Sequence, residues 1–180
     1  WLVAGYPEHV PGVTIDRQCG SSQQAVHFAA QAVMSGTQDL VVAGGVQNMS
    51  AIPISTAMAV GAQFGFTTPF AESVGWVQRY GDQEVSQFRA SQMIADHWEL
   101  TREQMEQFAY ESHLRAIAAT DEGRFAREIA PIAGLSHDEG PRRDTSLERM
   151  ASLQPLSEGG TITAAVASQI SDASSAVLVA

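Results

Sequence analysis

The sequence predicts an α/β fold class: a layered α/β core interrupted by an inserted, mainly helical excursion. Three observations lead there. A strand-like stretch, a helical stretch and a second strand-like stretch follow one another within residues 12–46. Residues 51–158 lose that texture and carry helical periodicity in their later part. From residue 159 to Ala180 the small-residue, β-rich texture returns. The organisation predicted is therefore 1–50 and 159–180 as parts of one core, with 51–158 inserted between them.

Each element has its own justification. "GVTIDRQC" (12–19) reads as a short strand, and Gly20 breaks it. From Ser21 the residues Val26, Ala29, Ala30 and Val33 recur at i, i+3, i+4 and i+7, the spacing of one helix face. Ser21 or Ser22 suits the N-cap of this helix, and Gly36 suits its end. "DLVVAGGV" (39–46) is an uninterrupted apolar run bounded by turn residues, as in a strand covered on both faces. Strand, helix, strand within so short a span predicts a right-handed βαβ unit.

The insertion is read in the same way. "EVSQFRASQMIADHWEL" (84–100) predicts a helix with Phe88, Ile94, Ala95 and Trp98 on one side. Residues 100–120 predict a stronger one, because Thr101 and Gln104 form a capping box and Met105, Phe108 and Ala109 begin an apolar face. "FAREIAPIAG" (125–134) reads as extended. A charged loop punctuated by Pro and Gly follows over 136–145, then a short helix over 146–153.

Composition bounds the function classes. A chain of 180 residues fits one domain, or one and part of another. Its hydrophobic share of 44% is that of a globular protein. Twenty acidic against ten basic residues give a net charge of −10, which argues against nucleic acid or an anionic membrane as the main partner. A small anionic ligand held by a local pair of arginines stays compatible with it. No apolar run reaches membrane-spanning length and no basic-then-apolar leader opens the chain, so a soluble, cytoplasmic protein is expected. The chain opens in mid-pattern on "WLVAGYP" and stops inside the apolar "SSAVLVA". Domain boundaries normally fall in polar linkers, so a piece of a longer chain is expected.

The single cysteine, Cys19, stands where a strand would end and a helix begin. One cysteine excludes an internal disulfide and a multi-cysteine metal site. Helix N-termini present unpaired N–H groups and a partial positive charge. Both favour a thiolate, and the same N–H groups can hold a developing oxyanion. The alternative is a buried, inert cysteine. Glycines are absent two residues before and after Cys19, so a hydrolase-type nucleophile elbow fits poorly.

Five stretches, "TIDRQCGSSQQAV", "VVAGGVQNMS", "TREQMEQFAYESHLRAIAA", "RRDTSLERMASLQPL" and "GGTITAAVASQISDASSAVLVA", stand in the order and spacing of the thiolase family. The resemblance runs from Trp1 to Ala180 and is to the central part of an acetyl-CoA acyltransferase, or 3-ketoacyl-CoA thiolase. It implies a thiolase-like layered α/β core, present as part of the N-terminal half. It implies a loop domain over 51–158 that covers coenzyme A, and a C-terminal half outside this sequence.

The resemblance further implies that Cys19 takes up the acyl group as a thioester, its backbone N–H being one oxyanion-hole donor. Gly44, Gly45, Met49 and Ser50 would shape the turn beside the site. Arg142 would lie near the nucleotide end of coenzyme A, and Ser168 would touch the pantetheine arm. The activating histidine, a second acid/base cysteine and a water-orienting asparagine would all follow Ala180, so the 180-residue chain alone is expected to be inactive. No tightly bound cofactor and no metal are implied. Coenzyme A and acyl-CoA are the partners, and a homodimer or homotetramer is the expected assembly.

Two departures bear on substrate. Ala165 and Val166 stand where the family usually has Gly and Asn, and "SQFRA" (86–90) stands where many biosynthetic members have His-Met-Gly. Both point to a degradative thiolase for bulkier acyl groups, of fatty-acid or steroid side-chain type. Two other classes remain open. One is another condensing enzyme of the superfamily, of ketoacyl synthase or hydroxymethylglutaryl-CoA synthase type; the other is a non-catalytic acyl-CoA-binding protein.

The remaining candidates have plainer readings beside the functional ones. Arg142 and Arg143 can be a solvated loop or a guanidinium fork on phosphate. Outside the resemblance, Ser168 reads as a buried small residue. His27 follows Cys19 by eight residues, about 12 Å along a helix, and is read as a packing residue. His9, His97, His113 and His137 have no partner at catalytic or metal spacing.

Overall fold

The helix at residue 21 forms where the spacing places it. α1 spans Ser21–Met34, and Gly36 follows it at φ 70°, donating its amide to the Val33 carbonyl. A positive φ at this position is the usual helix stop that glycine supplies. The N-cap is Gly20 and no side chain caps the helix. Its more covered stripe is Ala25, Ala29, Ala32 and Val33, while Val26 is exposed.

The computed structural model describes residues 1–70 and 73–180. They form two units, 1–66 with 170–180 and 67–169. The unit boundaries fall later in the chain than the change of texture at 50 and at 159.

In the first unit, β1 (Val41–Gln47) pairs antiparallel with β2 (Ala173–Val179), with Val41 opposite Val179 and Gln47 opposite Ala173. α1 packs against this pair. A short helix α2 (Thr56–Ala59) and a tight helical turn (Val60–Phe64) follow β1. Two expectations are corrected here. Residues 12–19 form no strand; they carry only an isolated bridge between Arg17 and Cys19. Asp16, Arg17 and Gln18 make local turn bonds in place of a ladder, and no parallel βαβ pairing is found among the described residues. β1 is covered on one face only: Ala43 is 4% exposed, while Val46 on the other face is 80% exposed.

Asp172 fixes how the two strands begin and end. Its carboxylate accepts the Ser50 amide at 2.8 Å and the Ser50 hydroxyl at 2.6 Å. The Ser50 hydroxyl also lies 3.0 Å from Asn48 Oδ1, which accepts the Ala51 amide. The turn after β1 is thus tied to the residue before β2. These bonds from Ser50, with one from the Met49 amide, hold the Asp172 carboxyl below the usual carboxylate range.

In the second unit, α3 (Val74–Tyr80), α4 (Gln87–His97), α5 (Arg102–Asp121) and α6 (Leu147–Ala151) are joined by loops. Phe70, Trp76 and Tyr80 stack in series beside α3. Ser86 caps α4, Ser146 caps α6, and the Thr101–Gln104 capping box of α5 is complete. Gln92 of α4 accepts the amides of Thr161 and Ile162 at 2.7 and 3.2 Å, which holds residues 161–162 within this unit. The stretch read as extended over 125–134 begins instead as turns and ends in a tight turn, Ile132 paired with Leu135 and Ala133 and Gly134 at positive φ.

The face of α5 also differs from expectation. Phe108 is 77% exposed, and Glu106 is buried at 4%. The cause is Arg102, whose Nε donates to Glu106 at 2.7 Å. Its Nη2 donates to the Met150, Ala151 and Leu153 carbonyls at 3.0, 3.0 and 2.8 Å. One guanidinium therefore neutralises the buried carboxylate and supplies a donor to three carbonyls at and just beyond the end of α6. Among the described residues no helix is long and apolar enough to cross a membrane.

Two outcomes are expected. Arg102→Met leaves Glu106 buried without its partner and lowers unfolding stability by about 3–5 kcal/mol, read by urea denaturation. Asp172 follows the depressed-carboxylate sign: its contribution is present above the ordinary pKa and is lost as pH falls through the folded value. Stability of the first unit should therefore fall as pH drops below the ordinary carboxylate range, and Asp172→Asn should flatten that acid limb in parallel melts.

Candidate functional site

A short run of hydrogen bonds folds the chain immediately before α1. Gln18 donates its amide to the Asp16 carboxylate at 3.0 Å. Arg17 donates its amide to Ser21 Oγ at 2.8 Å, and that hydroxyl donates to the Gln18 carbonyl at 2.7 Å. Gly20 donates to the Arg17 carbonyl at 3.0 Å. Gln18 takes φ 50°, in the left-handed region. Together these bonds set Cys19 one residue ahead of the Gly20 N-cap. Its thiol is free and exposed, so the inert buried alternative does not describe it. In the first turn of α1 the amides of Ser22 and Gln23 have no backbone acceptor among the described residues. An exposed sulfur beside such amides can act as a nucleophile whose product oxyanion finds donors.

The glycines after β1 begins have distinct local consequences. A Cβ at Gly45 would lie 1.9 Å from Ser22 Oγ, and one at Gly44 would lie 2.5 Å from the Ser175 carbonyl. Gly45 admits the first turn of α1, which Cys19 shortly precedes, onto the strand. Gly44 admits β2. Met49 and Ser50 lie in the turn tied to Asp172.

Arg142 and Ser168 belong to the second unit, Cys19 to the first. A cleft lined by His137, Arg142 and Arg143 together with three acids, Asp138, Glu139 and Asp144, opens beside the end of α5. The two arginines are not alike. Arg143 grips Asp121 through both terminal nitrogens, at 2.6 and 3.1 Å. That pair holds the Asp121 carboxyl low and the Arg143 guanidinium high. The Arg142 guanidinium makes no hydrogen bond or ion pair among the described residues, while its backbone amide donates to His113 Nδ1 at 3.1 Å. Ser168 is exposed, contrary to its reading as a buried residue, and its hydroxyl donates to the Gln169 carbonyl at 3.3 Å. Gln169 Nε2 donates to the Gly140 carbonyl at 2.9 Å, so the segment bearing Ser168 is fastened to the loop bearing Arg142.

His27 is exposed and is not a packing residue. It precedes buried Ala29 by two positions, which on a helix is the far side. His113, for which the sequence offered no partner, has one in the Arg142 amide. Among the described residues no group of three His, Cys, Asp or Glu could hold a metal ion.

Comparison with known proteins matches this arrangement to one family. The family model described as thiolase, N-terminal domain, matches residues 1–180. The chain is 64% identical over 184 aligned positions to a protein named steroid 3-ketoacyl-CoA thiolase from Mycobacterium tuberculosis, covering 100% of this chain and 45% of that protein. It is 39% identical to a 3-ketoacyl-CoA thiolase from Shewanella loihica, covering 99% and 46%. Among solved structures, an acetyl-CoA acetyltransferase from Syntrophomonas wolfei superposes with a TM-score of 0.72 at 32% identity, over 98% of this chain and 46% of that one. The chain spans about half the length of the curated relatives it matches. The exposed cysteine just before α1, the glycine of β1 that admits the first turn of that helix and the match over residues 1–180 lead to one conclusion: this chain belongs to the thiolase family.

Proposed function

We propose that this chain works as part of an acyltransferase, a thiolase that cleaves 3-ketoacyl-CoA into acetyl-CoA and a shortened acyl-CoA. The observation that carries this is the exposed Cys19 thiol one residue ahead of the α1 N-cap. The Cys19 thiolate attacks the keto carbon of the substrate. The bond from that carbon to the neighbouring methylene then breaks, and acetyl-CoA leaves as an enolate that takes up a proton. The shortened acyl group stays on sulfur as a thioester until the thiol of coenzyme A removes it. Both transfers build negative charge on an oxygen, for which the Cys19 amide is one proposed donor. With one cysteine among 180 residues, the second acid/base thiol and the activating histidine are assigned to the rest of the protein.

The same reading gives the second unit its task. It overlaps the 51–158 insertion over residues 67–158 and is proposed to cover coenzyme A. Arg142 is the arginine for the nucleotide end, because Arg143 is committed to Asp121. Ser168 is proposed to meet the pantetheine arm. The 64% identity to a protein named for steroid 3-ketoacyl-CoA, with Ala165 and Val166 in the "AAVAS" stretch, supports a degradative role on bulky acyl groups. A cytoplasmic homodimer or homotetramer without a tightly bound cofactor completes the proposal.

The test uses the full-length protein and a panel of ketoacyl-CoAs from short linear to steroid-sized. Mass spectrometry should find the shortened acyl group on the peptide containing Cys19. Cys19→Ser should lower kcat by several orders of magnitude, and the 180-residue chain alone should show no turnover. Thiolytic turnover that survives Cys19→Ser would overturn the assignment.

A further inference from the structure

We propose that His113 is a positioning residue for coenzyme A, holding the loop that presents Arg142. The inference rests on the reading of Arg142 above and adds to it the residue that aims the guanidinium. The loop is fastened at three places within the second unit. Its Gly140 carbonyl accepts from Gln169 Nε2. Its Arg142 amide donates to His113 Nδ1. Its Arg143 side chain is paired with Asp121. Next along the chain, Arg149 Nη1 is paired with Asp144 at 2.6 Å. Against these spent groups, the Arg142 guanidinium has no bonded partner among the described residues.

The His113 bond differs in kind from the other two. The Asp121 pair holds a flexible side chain, and the Gln169 bond lies two residues upstream. The bond to His113 acts on the peptide plane that joins Pro141 to Arg142. That plane is rigid, and the ring of Pro141 fixes the φ before it. Holding its N–H therefore fixes the N–Cα bond of Arg142 and narrows the directions in which its side chain can leave the backbone. His113 and Asp121 are eight residues apart on α5, about 12 Å along its axis, so two adjacent loop residues are drawn to anchors two turns apart. The bond also requires that Nδ1 carry no proton, which places the hydrogen of a neutral ring on Nε2. A guanidinium whose backbone is already set loses less freedom when it takes a phosphate, and binds more tightly for it.

Dissociation constants for coenzyme A, dephospho-coenzyme A and pantetheine, measured on the full-length protein, test this. His113→Leu and His113→Ala should weaken coenzyme A binding by roughly three- to tenfold and leave pantetheine binding and the melting temperature unchanged. His113→Asn puts Oδ1 in the place of Nδ1 and should restore the affinity. Loss of the effect with dephospho-coenzyme A assigns Arg142 to the 3′-phosphate; its persistence assigns Arg142 to the diphosphate; either supports the proposal. Equal weakening in the Asn and Leu variants overturns it, as does a matching loss of pantetheine affinity or of melting temperature. Arg142→Gln separates the two claims. If it weakens coenzyme A binding while His113→Leu does not, the His113 inference alone falls. If Arg142→Gln has no effect, the reading of Arg142 falls and this inference with it.

Discussion

The first unit depends on how closely α1 can approach β1. At Gly45 the approach leaves no room for a side chain: a Cβ would come within 1.9 Å of Ser22 Oγ and 3.2 Å of Ser22 Cβ. Ser22 is in the first turn of α1, and the turn bonds among Asp16, Arg17, Gln18 and Ser21 hold Cys19 just before it. The approach of the first turn of α1 to β1 thus depends on a missing Cβ on the strand. Gly44 performs a different task one residue earlier, where the Ser175 carbonyl of β2 would meet an added carbon. Asp172 then closes the arrangement, since its bonds to Ser50 join the turn after β1 to the start of β2. The placing of the turn that bears Cys19 follows here from backbone approach.

The second unit is organised by charge. Arg102 lies against Glu106 and three carbonyls near the end of α6, so a buried acid, a helix and a loop share one cation. Arg143 and Arg149 are each paired with an aspartate. These surface pairs add little to stability singly, but they restrict where the loop between α5 and α6 can run. Arg142 stands out in this company because its guanidinium is uncommitted. Asp144 still feels its charge, while the pairing of Arg143 with Asp121 takes one other carboxylate out of competition for it.

Local chemistry was legible in the sequence and long-range pairing was not. The cap of α5 is written in Thr101 and Gln104, three residues apart, and both halves of the box form. The end of α1 is written in Gly36, and β1 in its apolar run. The stretch 12–19 misled because Val13 and Ile15 alternate as in a strand, while Asp16 and Ser21 supply turn bonds that win over a ladder with no partner strand. Phe108 misled because helix periodicity names a face without naming its neighbour. The neighbour is set by Arg102 reaching carbonyls about fifty positions away, and it brings Glu106 inside. The tie between His113 and Arg142 spans 29 residues and has no sequence signal at all. Cys19 was singled out by motif, and the structure supplied what the motif could not: its exposure and the turn that holds it.

The surface area bears on how such a chain functions. It exposes 14,329 Å² for 19.2 kDa. Two independent folded domains of half that mass would together expose about 10,000 Å², so the surplus does not depend on how the two units are disposed. It is carried in part by apolar side chains on identifiable faces: Val42, Val46 and Leu178 on the sheet, Phe28 and Met34 on α1. Soluble monomers seldom leave contiguous apolar faces uncovered. In the proposed thiolase the rest of the protein covers them, and the same covering would bring the missing acid and base to Cys19. Burial of these faces and completion of the site would then be a single event, since the helix that lacks cover is the helix that carries the thiol at its head.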